Sequence, residues 1–368
     1  MSQIVLVLGA GSTLANAVHF HGERYTGTNP PLDYTFFDRI RTLRIQPGTE
    51  LRQYASGHPY LNPFSGGHRV RAEEFFRDLF ADFQEATSGD STIAAYEQLL
   101  SAYLRVLRET TNWMSHDNRR GGPVGRLIAA AAAGWDRVTV LTFNHDLVIE
   151  NEIQKRARLT AKWCLDEGYG TFSQSSRVTG RTTDSLSRHS PTCQHSISIL
   201  KLHGSLNWNI RMRGRHPSPR ILSGEADPPE ILVSPRRTLR SQLLVNRKAR
   251  SGGGRTRWYT WPVVIPPVHG KEALIRRLVP SVWDDAAMAL ADADRMVFFG
   301  YSLPELDIRA HRLLQKGISR NQRMDSIDVV NPDPLSAGRY AAILQPPSLR
   351  WQSSVADFLQ RGGLDPEA

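Results

Sequence analysis

Short apolar runs that stop at small or polar residues and then give way to helix-compatible sequence recur along this chain, and that alternation constrains its fold more than any other feature. Residues 3–8 (Q-I-V-L-V-L) run into Gly9-Ala10-Gly11-Ser12-Thr13 and then L-A-N-A-V. Residues 136–141 (D-R-V-T-V-L) lead through T-F-N-H-D into L-V-I-E-N-E-I-Q, and residues 197–202 deliver His203 into a Gly204-Ser205 turn. Residues 295–299 end in Gly300-Tyr301-Ser302, and residues 327–330 in Asn331-Pro332-Asp333. Runs this short and this rich in Val and Ile read as strands buried on both faces, the kind that parallel sheets use. Five such strands, four of them followed by a helix, predict an α/β fold: a Rossmann-like, doubly wound parallel sheet whose polar turns gather along one edge. Val263, Val264 and Ile265, stopped by Pro266-Pro267, are expected to resume that sheet.

The rest of the chain divides around this core. The reading is a single domain with its core in 1–31, 112–210 and 258–345, a helical insertion at 32–111, an irregular basic insertion at 211–257 and a C-terminal segment at 346–368. In the helical insertion, Phe36, Phe37, Ile40 and Leu43, then Phe75 to Phe83, then Ile93 to Leu107 recur at helical spacing, with Pro47 to Gly67 separating the helices. The aromatic stripe at Phe75–Phe83 is read as core packing. Residues 168–196, rich in Ser, Thr, Arg and Gly, are expected to form a loop or peripheral hairpin. A helix is expected to open at Pro304.

Charge is concentrated. The net charge is +10, and residues 211–257 alone hold 12 Lys or Arg against 3 Asp or Glu, a balance of +9. With only 6 Lys in the chain, the positive groups are mostly arginine, suited to bidentate phosphate contacts. A solvated face and a nucleic-acid or other anionic partner both fit that segment. Two cysteines, Cys164 and Cys193, exclude a disulfide framework and a four-cysteine zinc site within this chain. No run approaches the roughly 18 apolar residues of a membrane span. The opening M-S-Q-I-V-L-V-L-G lacks a basic leader, so it reads as a first strand and not a signal peptide, and a cytoplasmic location is expected.

Several polar turns carry chemistry. His203, at the end of a buried strand, has the side chain whose ordinary pKa lies nearest neutrality and so suits proton transfer; a hydrogen-bonded structural histidine is the alternative. The strand, Gly9–Thr13 turn and helix place backbone amides and a helix N-terminus at one point, which favours an anion, although a purely structural turn fits too. Asn144, His145 and Asp146 sit at a strand's carboxyl end, where open parallel sheets bind ligands; capping of the following helix by Asp146 is the alternative.

Taken in order, G-A-G-S (Gly9 to Ser12), T-x-N-x-D (Thr142, Asn144, Asp146), L-H-G (Leu202, His203, Gly204), G-x-S (Gly300, Ser302) and V-N (Val330, Asn331) resemble the sirtuin, or SIR2-like, domain. The resemblance implies a Rossmann-like domain with NAD as substrate. By it, Gly9, Ala10, Gly11, Ser12 and Thr13 line the pyrophosphate, and Asn144 and Asp146 face the nicotinamide ribose and nicotinamide. His203 acts as the acid/base residue beside Asn144, Gly300 and Ser302 contact phosphate, and Asn331 holds the adenosine ribose.

Two departures refine it. The deacylases of that family carry paired C-x-x-C zinc ligands after the histidine, where this chain has its cysteine-free basic segment, so no zinc is expected. Their phenylalanine-arginine stretch is replaced by L-A-N-A-V-H-F-H-G. K-L-H-G-S-L-N-W and G-Y-S-L-P-E-L-D look more like the SIR2-like effectors of prokaryotic antiviral systems, which hydrolyse NAD to nicotinamide and ADP-ribose. That resemblance implies a homo-oligomer working with a sensor or ATPase partner, such as an Argonaute-like or HerA-like protein. An NAD-dependent deacylase or ADP-ribosyltransferase, and a non-catalytic nucleotide or nucleic-acid binding module, are the alternatives.

Overall fold

The computed structural model describes residues 1–21, 30–58, 62–64, 70–87, 90–116, 121–179, 186, 194–213, 230–235, 249–250, 257–266, 271–304, 307–324 and 326–364. In chain order its strands are β1 (Gln3–Leu8), β2 (Arg137–Thr142), β3 (Ser176–Val178), β4 (Ile197–Lys201), β5 (Gly204–Arg213), β6 (Glu230–Val233), β7 (Ala249–Arg250), β8 (Arg257–Val264), β9 (Arg295–Phe299), β10 (Ile327–Val330) and β11 (Leu349–Gln352).

Six of them make the main sheet, in the order β11-β10-β9-β1-β2-β4, every pair parallel. Counted along the chain within this sheet, the order is 3-2-1-4-5-6, the doubly wound arrangement of dinucleotide-binding folds. The order reverses between β1 and β9. Sequence and position agree: in β1 the five residues Ile4–Leu8 are fully buried, as β-branched and leucine side chains must be where helices cover both faces of a sheet. Helices Ala10–His21, Pro123–Gly134 and Val355–Gln360 form one connected layer, and Pro280–Asp292, Ile308–Arg320 and Leu335–Leu344 another.

A charged residue inside such a strand needs partners. Asp328 of β10 has them in Arg295 Nε at 2.9 Å and Arg350 Nε at 2.9 Å, toward the amino ends of the strands.

Val263 and Val264 do not resume the main sheet. They belong to β8, in a second sheet ordered β3-β6-β5-β8-β7, where β8 runs antiparallel to β5. An apolar run specifies burial and not its pairing partner, and here the partner is the chain segment just past His203. The chain leaves the main sheet at Lys201, turns through Leu202 and His203, and enters the second sheet at Gly204. Gly204 has φ +83°, and a Cβ there would lie 2.0 Å from the Val263 carbonyl oxygen, so only glycine fits this crossing between sheets.

Three more elements differ from the expected pattern. The helix Thr49–Gly57 falls inside the Pro47–Gly67 interval, with Leu51 and Ala55 buried. The helix expected at Pro304 opens at Ile308, with Asp307 as its cap. β11 adds a parallel edge strand within 346–368; its L-R-W-Q sequence is half-buried throughout and lacks the apolar run that marks the inner strands. Most of the basic segment, and Cys193, lie outside the described residues.

Candidate functional site

The turns after β1, β2, β4, β9 and β10 lie at the carboxyl edge of the sheet, and the first and fourth touch. Gly9 N donates to Phe299 O at 3.2 Å and Gly11 N to Gly300 O at 2.9 Å. Gly300 has φ +61°, and a Cβ on it would lie 2.2 Å from Ser12 N. Glycine at this position therefore serves close packing of two turns at the point where the strand order reverses, the crevice where such sheets bind ligands. Ala10 and Ser302 are exposed on this rim, and Gly11, Asn144 and Gly300 are partly so.

The turn after β2 is tied to the first. Asn144 Nδ2 donates to Gly9 O at 2.9 Å and to Thr13 Oγ1 at 3.0 Å, and Thr13 Oγ1 donates to Asp146 Oδ2 at 2.8 Å. Asp146 Oδ1 accepts the Val148 amide at 2.9 Å, a local bond just ahead of the helix Val148–Gln154, whose N-cap is Leu147 and which has no side-chain cap. Ionised carboxylates accept on several lone pairs, which leaves Asp146 capacity beyond these two bonds. Asn331 closes the β10 turn by accepting the Asp333 amide at 2.9 Å.

His203 stands one ring away from the glycine turn. Its imidazole meets the Phe143 ring edge-on with centroids 5.3 Å apart, and Phe143 stacks on Tyr301 at 4.3 Å. Its backbone is clamped: Ile265 N donates to His203 O at 2.9 Å, and Trp283 Nε1 to Leu202 O at 2.8 Å. The side chain is only 6% exposed. Burial, with the Lys271 ammonium and His145 nearby, holds its pKa well below the usual histidine value, so the ring is neutral at pH 7. Its Nε2 and the Tyr301 hydroxyl are buried without a hydrogen-bond partner.

Sequence reasoning missed the groups around this imidazole. Asp307 Oδ2 lies 3.6 Å from His203 Nε2, too far for a hydrogen bond, and Asp307 Oδ1 lies 3.0 Å from Lys271 Nζ. Glu73, from the helical insertion, sits close enough to feel both; burial and the Asp33 charge raise its pKa to about 6. His145 bridges Tyr103 OH of the insertion, at 2.9 Å, and Ile265 O, at 3.1 Å, and burial lowers its pKa to about 3. Beneath the site, Lys201 Nζ is fully buried, 3.0 Å from Glu150 Oε1, and donates to the Asp146 carbonyl oxygen. The one available signal was Lys201 itself, since a charge in the middle of an apolar strand demands a buried partner.

Among the described residues no group of three or more His, Cys, Asp or Glu is placed to hold a metal ion, and no helix is long and apolar enough to cross a membrane. Cys164 is buried, its Sγ 3.9 Å from His195 Nδ1.

No family model matches the chain, and no curated protein matches it. Solved structures do. A mutant Sir2 homologue in complex with 2′-O-acetyl ADP-ribose is 13% identical, with a TM-score of 0.44, over 99% of this chain and 91% of its own. A second Sir2 homologue mutant, in complex with ADP-ribose, is 15% identical with a TM-score of 0.40, over 99% of this chain and 89% of its own. A mutant Sir2 with a p53 peptide and NAD is 12% identical with a TM-score of 0.42, over 98% of this chain and 93% of its own.

Proposed function

We propose that the chain is an NAD+ hydrolase of the SIR2-like class, a cytoplasmic antiviral (anti-phage) effector that depletes NAD by cleaving its nicotinamide–ribose bond. The observation that carries this reading is convergence: the Gly9–Thr13 turn, Asn144 and Gly300 are joined by hydrogen bonds where the strand order reverses, with Ser302 on the same rim, Asn331 at the end of the neighbouring strand β10 and His203 behind Phe143. The unpartnered Tyr301 hydroxyl fits a polar ligand, because buried polar atoms are ordinarily satisfied.

In this reading Gly9, Ala10, Gly11, Ser12 and Thr13 hold the pyrophosphate with Gly300 and Ser302, and Asn331 holds the adenosine ribose. Asn144 and Asp146 take the nicotinamide ribose and nicotinamide. Breaking the C1′–N bond leaves positive charge on the ribose, which water then quenches to give ADP-ribose and one proton. His203 is neutral and can accept that proton, and Asn144 orients the attacking water. The rigid backbone clamps on His203 hold the base in place, which is how position lowers a barrier. Zinc has no part in this scheme. The effector works as a homo-oligomer with a sensor or ATPase partner of the HerA-like or Argonaute-like kind, and the arginine-rich 211–257 segment is the candidate surface for nucleic acid.

The test is incubation of the purified chain with NAD, alone and with nucleic acid and candidate partner proteins, following nicotinamide and ADP-ribose by chromatography. Free ADP-ribose formed without any acylated peptide is the expected result. Turnover strictly dependent on an acylated peptide would assign a deacylase or ADP-ribosyltransferase, and NAD binding without turnover alongside salt-sensitive nucleic-acid affinity would assign a binding module.

A further inference from the structure

We propose that Asp307 is a positioning residue for His203: its carboxylate, shared between Lys271 and the imidazole, holds His203 Nε2–H and stabilises the ring once it has taken a proton. The inference deepens the NAD-hydrolase reading and rests on it for the reaction, but the coupling itself rests on geometry. Asp307 is anchored twice, as the cap of the helix Ile308–Arg320, where it accepts the Ala310 amide at 3.3 Å, and by Lys271 Nζ at 3.0 Å from Oδ1. Its second oxygen faces His203 Nε2 across 3.6 Å, and that nitrogen has no other partner. Both side chains are 6% exposed. A gap of this size closes to a hydrogen bond with a shift of well under an ångström, and catalytic hydrogen bonds are often long before substrate arrives.

The proton ledger follows from this arrangement. With Nε2–H turned to Asp307, the lone pair is on Nδ1, so Nδ1 takes the proton from water as the C1′–N bond breaks and the C1′–O bond forms. The imidazolium then shares Asp307 with Lys271, and afterwards loses its proton to solvent. In the resting state Lys271 does the opposite job: its ammonium already compensates Asp307 and so helps keep the imidazole neutral. The other titratable groups around the imidazole are His145 from the β2 turn, Tyr301 from the β9 turn, and Glu73 with Asp33 from the helical insertion. The Asp307 carboxylate is the acidic group that faces Nε2, at 3.6 Å.

The test combines substitutions with the imidazole titration of His203, followed by NMR on selectively labelled full-length protein, with folding checked by thermal melting. Lys271→Gln removes the competing cation, so His203 is expected to titrate at higher pH than in the wild type. Adding Asp307→Asn to that variant is expected to lower the midpoint again by about 1 pH unit or more, the usual effect of an opposite charge at such range. Asn can still cap the helix, so the comparison removes charge and keeps the fold. In turnover, Asp307→Asn is expected to lower kcat for nicotinamide release at least about 10-fold and up to about 10⁴-fold with KM little changed, the upper end being the cost of losing the aspartate that orients a histidine base. Equal midpoints in the single and double variants, or wild-type kcat in Asp307→Asn, would overturn the assignment. A wild-type chain that cleaves no NAD either alone or with nucleic acid and candidate partner proteins would overturn the hydrolase reading instead, and the titration pair would still decide the coupling. If Lys271→Gln does not fold, the midpoint in Asp307→Asn against the wild type decides, a midpoint equal to or above the wild-type value counting against the proposal.

Discussion

His203→Ala is expected to reduce nicotinamide release by about 10²- to 10⁴-fold, the range contributed by a positioned general base. An imidazole already protonated at pH 7 could not accept the proton that water must give up, and burial together with Lys271 keeps this one deprotonated. The backbone contacts that hold the segment, from Ile265 N and Trp283 Nε1, do not involve the imidazole and survive its removal. His203→Ala is therefore expected to stay folded, with a loss of about 2–5 kcal/mol of stability for the cavity left by the buried ring. Turnover equal to wild type in a folded His203→Ala variant would remove His203 from the mechanism.

The second large effect is structural. Lys201→Met is expected to destabilise the fold by about 3–5 kcal/mol, because it leaves the fully buried Glu150 carboxylate without its cation. Tyr169 still donates to Glu150 at 2.9 Å, but one neutral hydrogen bond does not replace an ammonium. Lys201 Nζ also holds the Asp146 carbonyl, so the Asn144–Asp146 turn should loosen with it. The double variant Lys201→Met/Glu150→Leu should recover most of the loss, since replacing both members of a buried pair with apolar groups is often close to neutral. Urea unfolding of the three proteins checks this. A single variant as stable as the wild type, or a double variant no better than the single, would show that the pair does not carry the site's foundation.

The parts of the fold that a sequence can disclose are those set by local pattern. β1, β2, β4, β9 and β10 were legible because strands buried on both faces read as unbroken Val- and Ile-rich runs, and the turns that follow them carry Gly, Asn or His. β11 was not, since an edge strand needs only partial burial and L-R-W-Q offers no run. β8 was recognised as a strand but placed in the wrong sheet: its register with β5 depends on Gly204 lying against Val263, a contact between residues far apart in the chain.

The candidate site divides the same way. Asn144, Asp146 and His203 were found because each sits in the turn after a recognisable strand. Asp307, Lys271 and Glu73 come from three separate elements, and no local spacing relates them; only the packing of the helical insertion and the β9 turn over His203 brings their charges together. Asp146 is not the helix cap that its position suggests: Leu147 is the N-cap, while the carboxylate holds the Val148 amide through one oxygen and joins the Thr13 network through the other.

The central claim is that the crevice between the β1 and β9 turns takes an ADP-ribose moiety, and calorimetric titration of the purified chain with ADP-ribose addresses it without requiring turnover or an activating partner. The account predicts saturable binding by the wild-type chain and its loss, by about tenfold or more in Kd, in Ser302→Glu, where an added carboxylate on the exposed rim faces the phosphates while leaving the core untouched. A folded wild-type chain that does not bind ADP-ribose, or a Ser302→Glu variant that binds it as well as the wild type, would contradict the account.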